Sequence, residues 1–599
     1  MKLLLLRSFN YHNFLLKQKA LTILIAACCL SFCSQNLFAQ GTWTAVTSVA
    51  PHTSGGGTLL LSDGTILCKS TSGGLDSYGS IYDRLIPDNQ GNYANGTWSS
   101  IAPMHSTRLY YSTQLLKDGR VYVAGGEYGT GGSSGETYNP LTNVWTSNGP
   151  VGSFVSDANS EILDNGTVIQ ALVSSNLKPT KIYDPTTNLY TTGPSCVGIH
   201  NESVWVKLKD NSILFVDRNT RNSERFIPSL NQWIADATLP TDVYDPYGLE
   251  SGAAVLLPDG RVIFFGSTGH NAIYTPSGST ANGSWVAAAD FPNGQGTPDA
   301  PAAMMANGKV LCAVSPKATS SNHFPTPTSY YEYDYTTNAF TRVNAPGGGL
   351  TTNISVYQSN MVDLPNGQVL FSVQGSNQYY VYTPDGTQLA SGKPTITKIQ
   401  KAGPGVFKFT GHLFNGISEG ASYGDDWQMS SNYPIVRITV NAQVFYARTF
   451  NWNSTGVMRG NLNDTCYITL PAGLPRGKYS IAVLANGISS NPYNVGSASL
   501  MDDNSSAIST AITINQNKVS VYPNPATTQT SVQYSIAKSG YVSLKIVDVN
   551  GRSLTELVNG NMQQGEHNLQ LNTSRFAKGV YYLNMITDNG IQSAKLVVQ

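Results

Sequence analysis

Nine residues before each of a series of turn glycines, the chain places Gly55, Tyr110, Asp157, Glu202, Ser251 and Asp299; in a seventh case an extra residue makes the count nine or ten, at Gln358 or Tyr357. Arg108, His200 and Glu250 are immediate neighbours of these positions. Carboxylates accept hydroxyls, arginine donates, and tyrosine rings stack, so such a set suits a hydroxyl-rich ligand such as an extracellular glycan. Three other readings remain open at this point. The same groups could simply solvate a polar channel. Asp157, Glu202 and Asp299 could hold calcium, which needs six or more oxygens. The paired carboxylates could serve an acid/base hydrolase or lyase. There is no HExxH or P-loop, and no CxxC or Cys/His cluster that would hold a metal.

These positions share a register because a unit recurs: apolar strand, Asp-Gly or Asn-Gly turn, apolar strand. Its instances include LLLSDGTIL, QLLKDGRVYVAGG and VLLPDGRVIFFG, with turns at Gly64, Gly119, Gly166, Asn211, Gly260, Gly308 and Gly367. The period is near 50 residues. Positive φ at the turn residue favours two-residue hairpins. Third strands end in Tyr-Asn-Pro, Tyr-Asp-Pro or Tyr-Thr-Pro, and aromatic fourth strands follow at Trp98, Trp145, Tyr190, Trp233, Trp285 and Phe340. Four strands at this period predict a kelch-type β-propeller of seven blades over 41–388. The seventh unit lacks its own fourth strand, and Gly41–Val46 stands unpaired before the first hairpin, so that segment is expected to close the ring.

The remainder of the 599 residues constrains where the protein works. There are 36 basic and 36 acidic residues, only 12% of the chain is charged, and no basic run exists, so neither nucleic acid nor an anionic membrane is an expected partner. Arg7, Lys17 and Lys19 precede an apolar run, Ala20 to Cys33, then LFAQ: the order of a cleavable secretory signal over 1–39, too short for an ordinary membrane span. Four cysteines follow it, which is no disulfide framework; Cys68 and Cys312, four residues after turn glycines, read as buried thiols.

The last 80 or so residues resemble the C-terminal sorting domain of type IX secretion substrates of the Bacteroidota, through VYPNPA (Val521 to Ala526), GYVSLKIVDVNGR (Gly540 to Arg552), KGVYYLNMITDNG (Lys578 to Gly590) and the terminal KLVVQ. This implies a small β-sandwich over 517–599 that engages the type IX machinery, after a linker at 499–516. The protein is then expected outside the cell or on its surface.

PMHSTRLYYSTQLLKDGRVYVAGGEYG resembles the second blade of galactose oxidase-like copper radical oxidases, and residues 41 to 498 follow that family's order. The resemblance implies an Ig-like (E-set) sandwich over 393–498. It places Tyr110 at the radical tyrosine, Tyr357 at the axial tyrosine and Tyr128 at the aromatic that stacks over the radical. The pattern then breaks. The thioether cysteine falls at Gly55, and the copper histidine after the axial tyrosine is Gln358. The second histidine, expected within IVRITVNAQVFYARTFNW, is missing, and His412 is that domain's only histidine. Copper(II) wants imidazole nitrogens, so no cofactor is expected. The reading that follows is a secreted, non-catalytic binding or adhesion protein. A modified oxidase and a carbohydrate-active hydrolase or lyase are the alternatives.

Overall fold

The computed structural model describes residues 40–156, 159–172, 179–201, 204–423, 428–496, 517–549, 552–587 and 590–599. The expected signal (1–39), the linker (499–516), Asp157 and Glu202 therefore lie outside the described residues. The chain divides into two compact units, Met1–Leu500 and Met501–Gln599.

Unit one carries seven four-stranded antiparallel meanders in chain order. Their first strands are Thr53–Leu60, Ser112–Leu115, Ser160–Ile162, Trp205–Lys207, Ala254–Leu256, Ala302–Met304 and Ser359–Asp363. They are apolar or neutral at nearly every position and almost wholly buried, and from the second to the seventh, and on to the first, each adjoins the next. In the last meander the fourth strand comes from the other end of the chain: Thr42–Ala45 pairs antiparallel with Tyr380–Thr383, Thr42 opposite Thr383. Trp43 fixes this closure, donating its indole N–H to Asn344 O at 2.7 Å and packing edge-on against Tyr330 and Phe371.

The repeated turn is a three-residue loop, not the two-residue one expected. In the first meander Leu61 N–H donates to Thr65 O and Gly64 N–H to Leu61 O, and the same pair of bonds recurs in all seven. Only the third loop residue needs positive φ, and glycine supplies it six times; Asn211 does so in the fourth turn, at φ 64. The Asp or Asn three residues before the second strand has its own role. Its side-chain oxygen accepts the N–H two residues on, as Asp63 does from Thr65 and Asn165 from Thr167, both at 3.0 Å.

Residues beyond 394 in the same unit form two further sheets. One has the strands Thr395–Gly403, Val406–His412, Asp464–Thr469 and Thr449–Phe450; the other contains Ile435–Val440, Gln443–Ala447 and Lys478–Ala485. Phe409, Ile438, Cys466 and Val483 are buried in these strands. A separate hairpin, Gly420–Ser422 with Gln428–Ser430, leaves this pair of sheets. It adds to the sixth meander, with Ala302 opposite Ser422, and lies against the first strands of the first, second, fifth and seventh. It thus occupies the middle of the ring. Unit two has a three-stranded and a four-stranded sheet around a core that includes Val532, Leu544, Ile546, Leu583 and Leu596. The described residues are all-β, consistent with a β-propeller plus β-sandwich. Among the described residues no helix is long and apolar enough to cross a membrane. Cys68, Cys196, Cys312 and Cys466 are all buried, and none forms a disulfide.

Candidate functional site

In an antiparallel meander, the connections from strand one to two and three to four lie at one end. Those from two to three and four to the next meander lie at the other. The glycine-turn end is covered by the second pair of sheets: Thr449 N–H donates to Ser62 O, Asn451 N–H to Lys117 O, and Tyr433 OH to Leu60 O at 2.5 Å. The other end carries the residues singled out by register.

Two of them, Tyr110 and Tyr357, meet there on Asp76. Tyr110 OH donates to Asp76 Oδ1 at 2.7 Å, and Tyr357 OH to Asp76 Oδ2 at 3.3 Å. Gln374 Nε2 donates to Tyr110 OH at 3.1 Å, and Gln374 Oε1 accepts Asp76 N–H. Tyr357 is braced from below by Tyr423 OH, which donates to its carbonyl at 2.8 Å, and from the side by the Phe324 ring at 4.7 Å. Burial, then the Asp76 carboxylate, holds the Tyr110 phenol well above its usual range; the same two causes push Tyr357 up to about 12. Asp299 acts on both in the same direction. Both hydroxyls are thus protonated donors at neutral pH, and Asp76, an exposed carboxylate, is the group they present to solvent.

The backbone here is strained. Asp76 (φ 51), Tyr110 (φ 46), Tyr128 (φ 51), Leu249 (φ 62) and Asp299 (φ 58) are all left-handed without being glycine. Elsewhere in the described chain such φ values fall mostly on asparagine, which tolerates them. Strain of this kind gathers at sites where a particular side-chain direction matters. Around the site stand exposed rings: Tyr78 at 54% exposure, Tyr128 at 65%, Phe154 at 67% and Tyr247 at 48%. All four lie on connections at this end. Tyr247 is stacked on His323 at 20° between planes.

Other expected residues go elsewhere. Arg108 is fully buried, its guanidinium spent on Glu136 (3.0 Å), Gly125 O (2.5 Å) and Ser134 O (3.0 Å). His200 is buried against Phe215; it receives Trp205 Nε1–H on Nδ1 at 3.0 Å and reaches Glu224 with Nε2 at 2.7 Å, so both nitrogens are used. These are supports of a recurrent device. A third-strand carboxylate caps the loop entering its own meander: Asp83 takes His52 N–H, Glu136 takes His105 and Ser106 N–H, and Glu224 takes Val197 and Gly198 N–H. Glu250 is part-buried in a loop whose N–H groups converge on Asp245. Gln358 is part-buried in the short turn beside Tyr357, its carbonyl accepting Gln374 N–H at 2.8 Å. Of the three carboxylates weighed for calcium, only Asp299 lies among the described residues.

Asp76 and Gln374 carried no register signal. They lie on connections between second and third strands, and the one hint was the glycine-rich stretch TSGGLDSYG.

Residues 520–599 match a protein family described as secretion system C-terminal sorting domain, which supports the type IX tail and export through it. No curated protein sequence matches the chain. Solved structures with a similar course include a novel fungal alcohol oxidase with catalytic diversity among the AA5 family, in complex with copper. It is 13% identical, with a TM-score of 0.46 over 77% of this chain and 99% of that one. A catalytically inactive virginiamycin B lyase from Staphylococcus aureus with quinupristin is 9% identical, with a TM-score of 0.39 over 58% of this chain and 100% of that one.

The copper ion implied by the oxidase resemblance does not fit these residues. Gln358 and Gly55 replace imidazole and thiol, and a Cβ on Gly55 would meet Lys69 Nζ at 3.2 Å, so a buried amine fills the adjoining space. Burial pushes that amine down to about 7. Each described histidine pairs away from Tyr110 and Tyr357: His52 with Asp83, His105 with Glu136, His200 with Glu224, His270 with Asp290, His323 with Tyr247, His412 with Leu462 O, and His567 with Gln563 O. The strands that reach the middle of the ring are Gly420–Ser422 and Gln428–Ser430, whereas Ile435–Trp452, where the resemblance implies a histidine, supplies strands and turn-end contacts of the second pair of sheets.

Proposed function

We propose that this chain is an exported recognition protein whose loop end binds a hydroxyl-rich ligand, a glycan, without transforming it. In this reading the seven meanders are seven propeller blades closed by the N-terminal strand. Residues 393–498 form an Ig-like sandwich, and a cleaved signal followed by the type IX tail carries the protein to the surface or the medium. The observation that carries the binding role is the shared acceptor: two protonated phenols trained on one exposed carboxylate, in a strained frame, among exposed aromatic rings. A carboxylate oriented in this way accepts two vicinal sugar hydroxyls, and the rings stack on the apolar faces of pyranoses. Asp76, Tyr110, Tyr357, Gln358, Asp299, Glu250 and Tyr128 are the proposed contacts, with Asp157 and Glu202 as further candidates. Arg108 and His200 support the loops.

The test uses the exported chain on a glycan array, with product analysis and copper titration alongside. Specific binding that falls at least tenfold in Tyr110→Ala and Asp76→Ala, with no product, is the expected result. One copper bound per chain together with peroxide release from galactose or primary alcohols would overturn it in favour of an oxidase. Cleavage of the bound glycan would point to a hydrolase or lyase.

A further inference from the structure

Among the first strands of the seven meanders only three residues are ionisable: Glu161, Lys207 and Asp363. A fourth, Glu419, is brought against them at the foot of the central hairpin. All four are buried. Lys207 Nζ lies 2.8 Å from Glu161 Oε1 and also donates to Ile162 O and Thr455 O. Lys207 N–H donates to Glu419 Oε2 at 2.7 Å. This leaves Glu161 Oε2 and Glu419 Oε1 buried with no other donor, two carboxylates for one ammonium. Asp363 accepts Ser431 Oγ–H at 3.1 Å on Oδ2, while its Oδ1 has no partner; a Cβ on Gly420 would come within 2.6 Å of that carboxyl. With every group ionised, the middle of the ring would hold three negative charges against one positive. A buried, unpaired charge is far costlier than a proton.

We propose that the hairpin Gly420–Ser430 is seated in the ring by two protons, one shared between Glu161 and Glu419 and one on Asp363, so that docking of the second pair of sheets is proton-linked. The facing groups bear this out. Glu161 and Lys207 are the charges that face Glu419. The strands Thr53–Leu60, Ala302–Met304, Val369–Val373, Gly420–Ser422 and Gln428–Ser430 around Asp363 contain no ionisable side chain. Burial, then Glu161, raises Glu419 well above the carboxylate range, and burial raises Asp363 to about 8. Because the folded pKa values are raised, the folded chain keeps protons that the unfolded chain releases above about pH 4. The stabilisation is complete in acid and is lost progressively as pH climbs to about 8.

The full chain is melted at pH 5, 6, 7 and 8 beside Glu419→Gln and Asp363→Asn. The amide introduced by Glu419→Gln keeps the acceptor for Lys207 N–H and gives Glu161 a permanent donor. The wild-type Tm is expected to fall over this range, with each variant removing a third or more of the fall. Amide exchange in 420–431 at pH 8, corrected for its intrinsic rate, should be at least tenfold slower in the variants. Parallel Tm profiles, or variant and wild-type hairpins exchanging alike at pH 8, would overturn the proposal. So would failure of both variants to fold, since each reproduces the protonated group.

Discussion

At one end of the ring of sheets every connection from a first to a second strand is the same three-residue loop with the same two backbone bonds, and the second pair of sheets lies over it. At the other end the connections share no such pattern. The first meander spends residues 72–80 between its second and third strands and the fourth only 217–221, and the backbone takes left-handed values at Asp, Tyr and Leu. Both ends belong to the same repeat. Where a neighbour must pack, the repeat is uniform, because Asx-Gly chemistry gives a short turn whose polar groups satisfy one another. Where side chains are offered to solvent the repeat is irregular, and each loop places a different group: Asp76 from the first meander, Tyr110 and Tyr128 from the second, Tyr357 from the seventh.

This contrast can be broken from either side. The largest effects belong to the packed end and to the buried supports. Trp452 stacks on Tyr433 at 5.1 Å and 2°, and Trp452→Ala is expected to cost about 3–5 kcal/mol in urea unfolding. Arg108→Ala should cost a similar amount by stranding Glu136, about 3–5 kcal/mol, while the folded fraction keeps its glycan affinity within threefold; a large loss of affinity at unchanged stability would return Arg108 to the ligand. At the open end the order reverses. Asp76→Ala is expected to shift stability by no more than about 0.5 kcal/mol and to weaken binding at least tenfold, measured by calorimetry on the same samples.

A smaller effect sharpens the electrostatic side. Asp76 opposes ionisation of both phenols, so Asp76→Asn should lower the Tyr357 pKa from about 12, seen as phenolate absorbance appearing earlier in an alkaline titration. An unchanged titration would mean that burial alone sets it. The smallest change is at the uniform end: Asn211→Gly relieves a left-handed side chain already tolerated by Asn, and a shift below about 1 kcal/mol is expected.

The alternation of apolar strand, Asx-Gly and apolar strand was enough to locate all seven hairpins, their aromatic fourth strands and the orphan N-terminal strand, because each signal is local or repeats at a fixed interval. The same counting points to Tyr110, Tyr357 and Asp299, of which the two tyrosines converge on Asp76. It also proposed Arg108 and His200, which the structure turns inward, since position along a strand does not say which way a neighbouring loop side chain points. Asp76, Gln374 and the Gly420–Ser430 hairpin were invisible to it. Asp76 and Gln374 are 298 residues apart and meet only when the last meander closes beside the first; the hairpin is a short polar stretch with no periodicity of its own. Strand, turn and repeat are decided by neighbours within a few residues. Which carboxylate receives two phenols, and which acids must keep their protons, depends on groups that only ring closure brings together and removes from water.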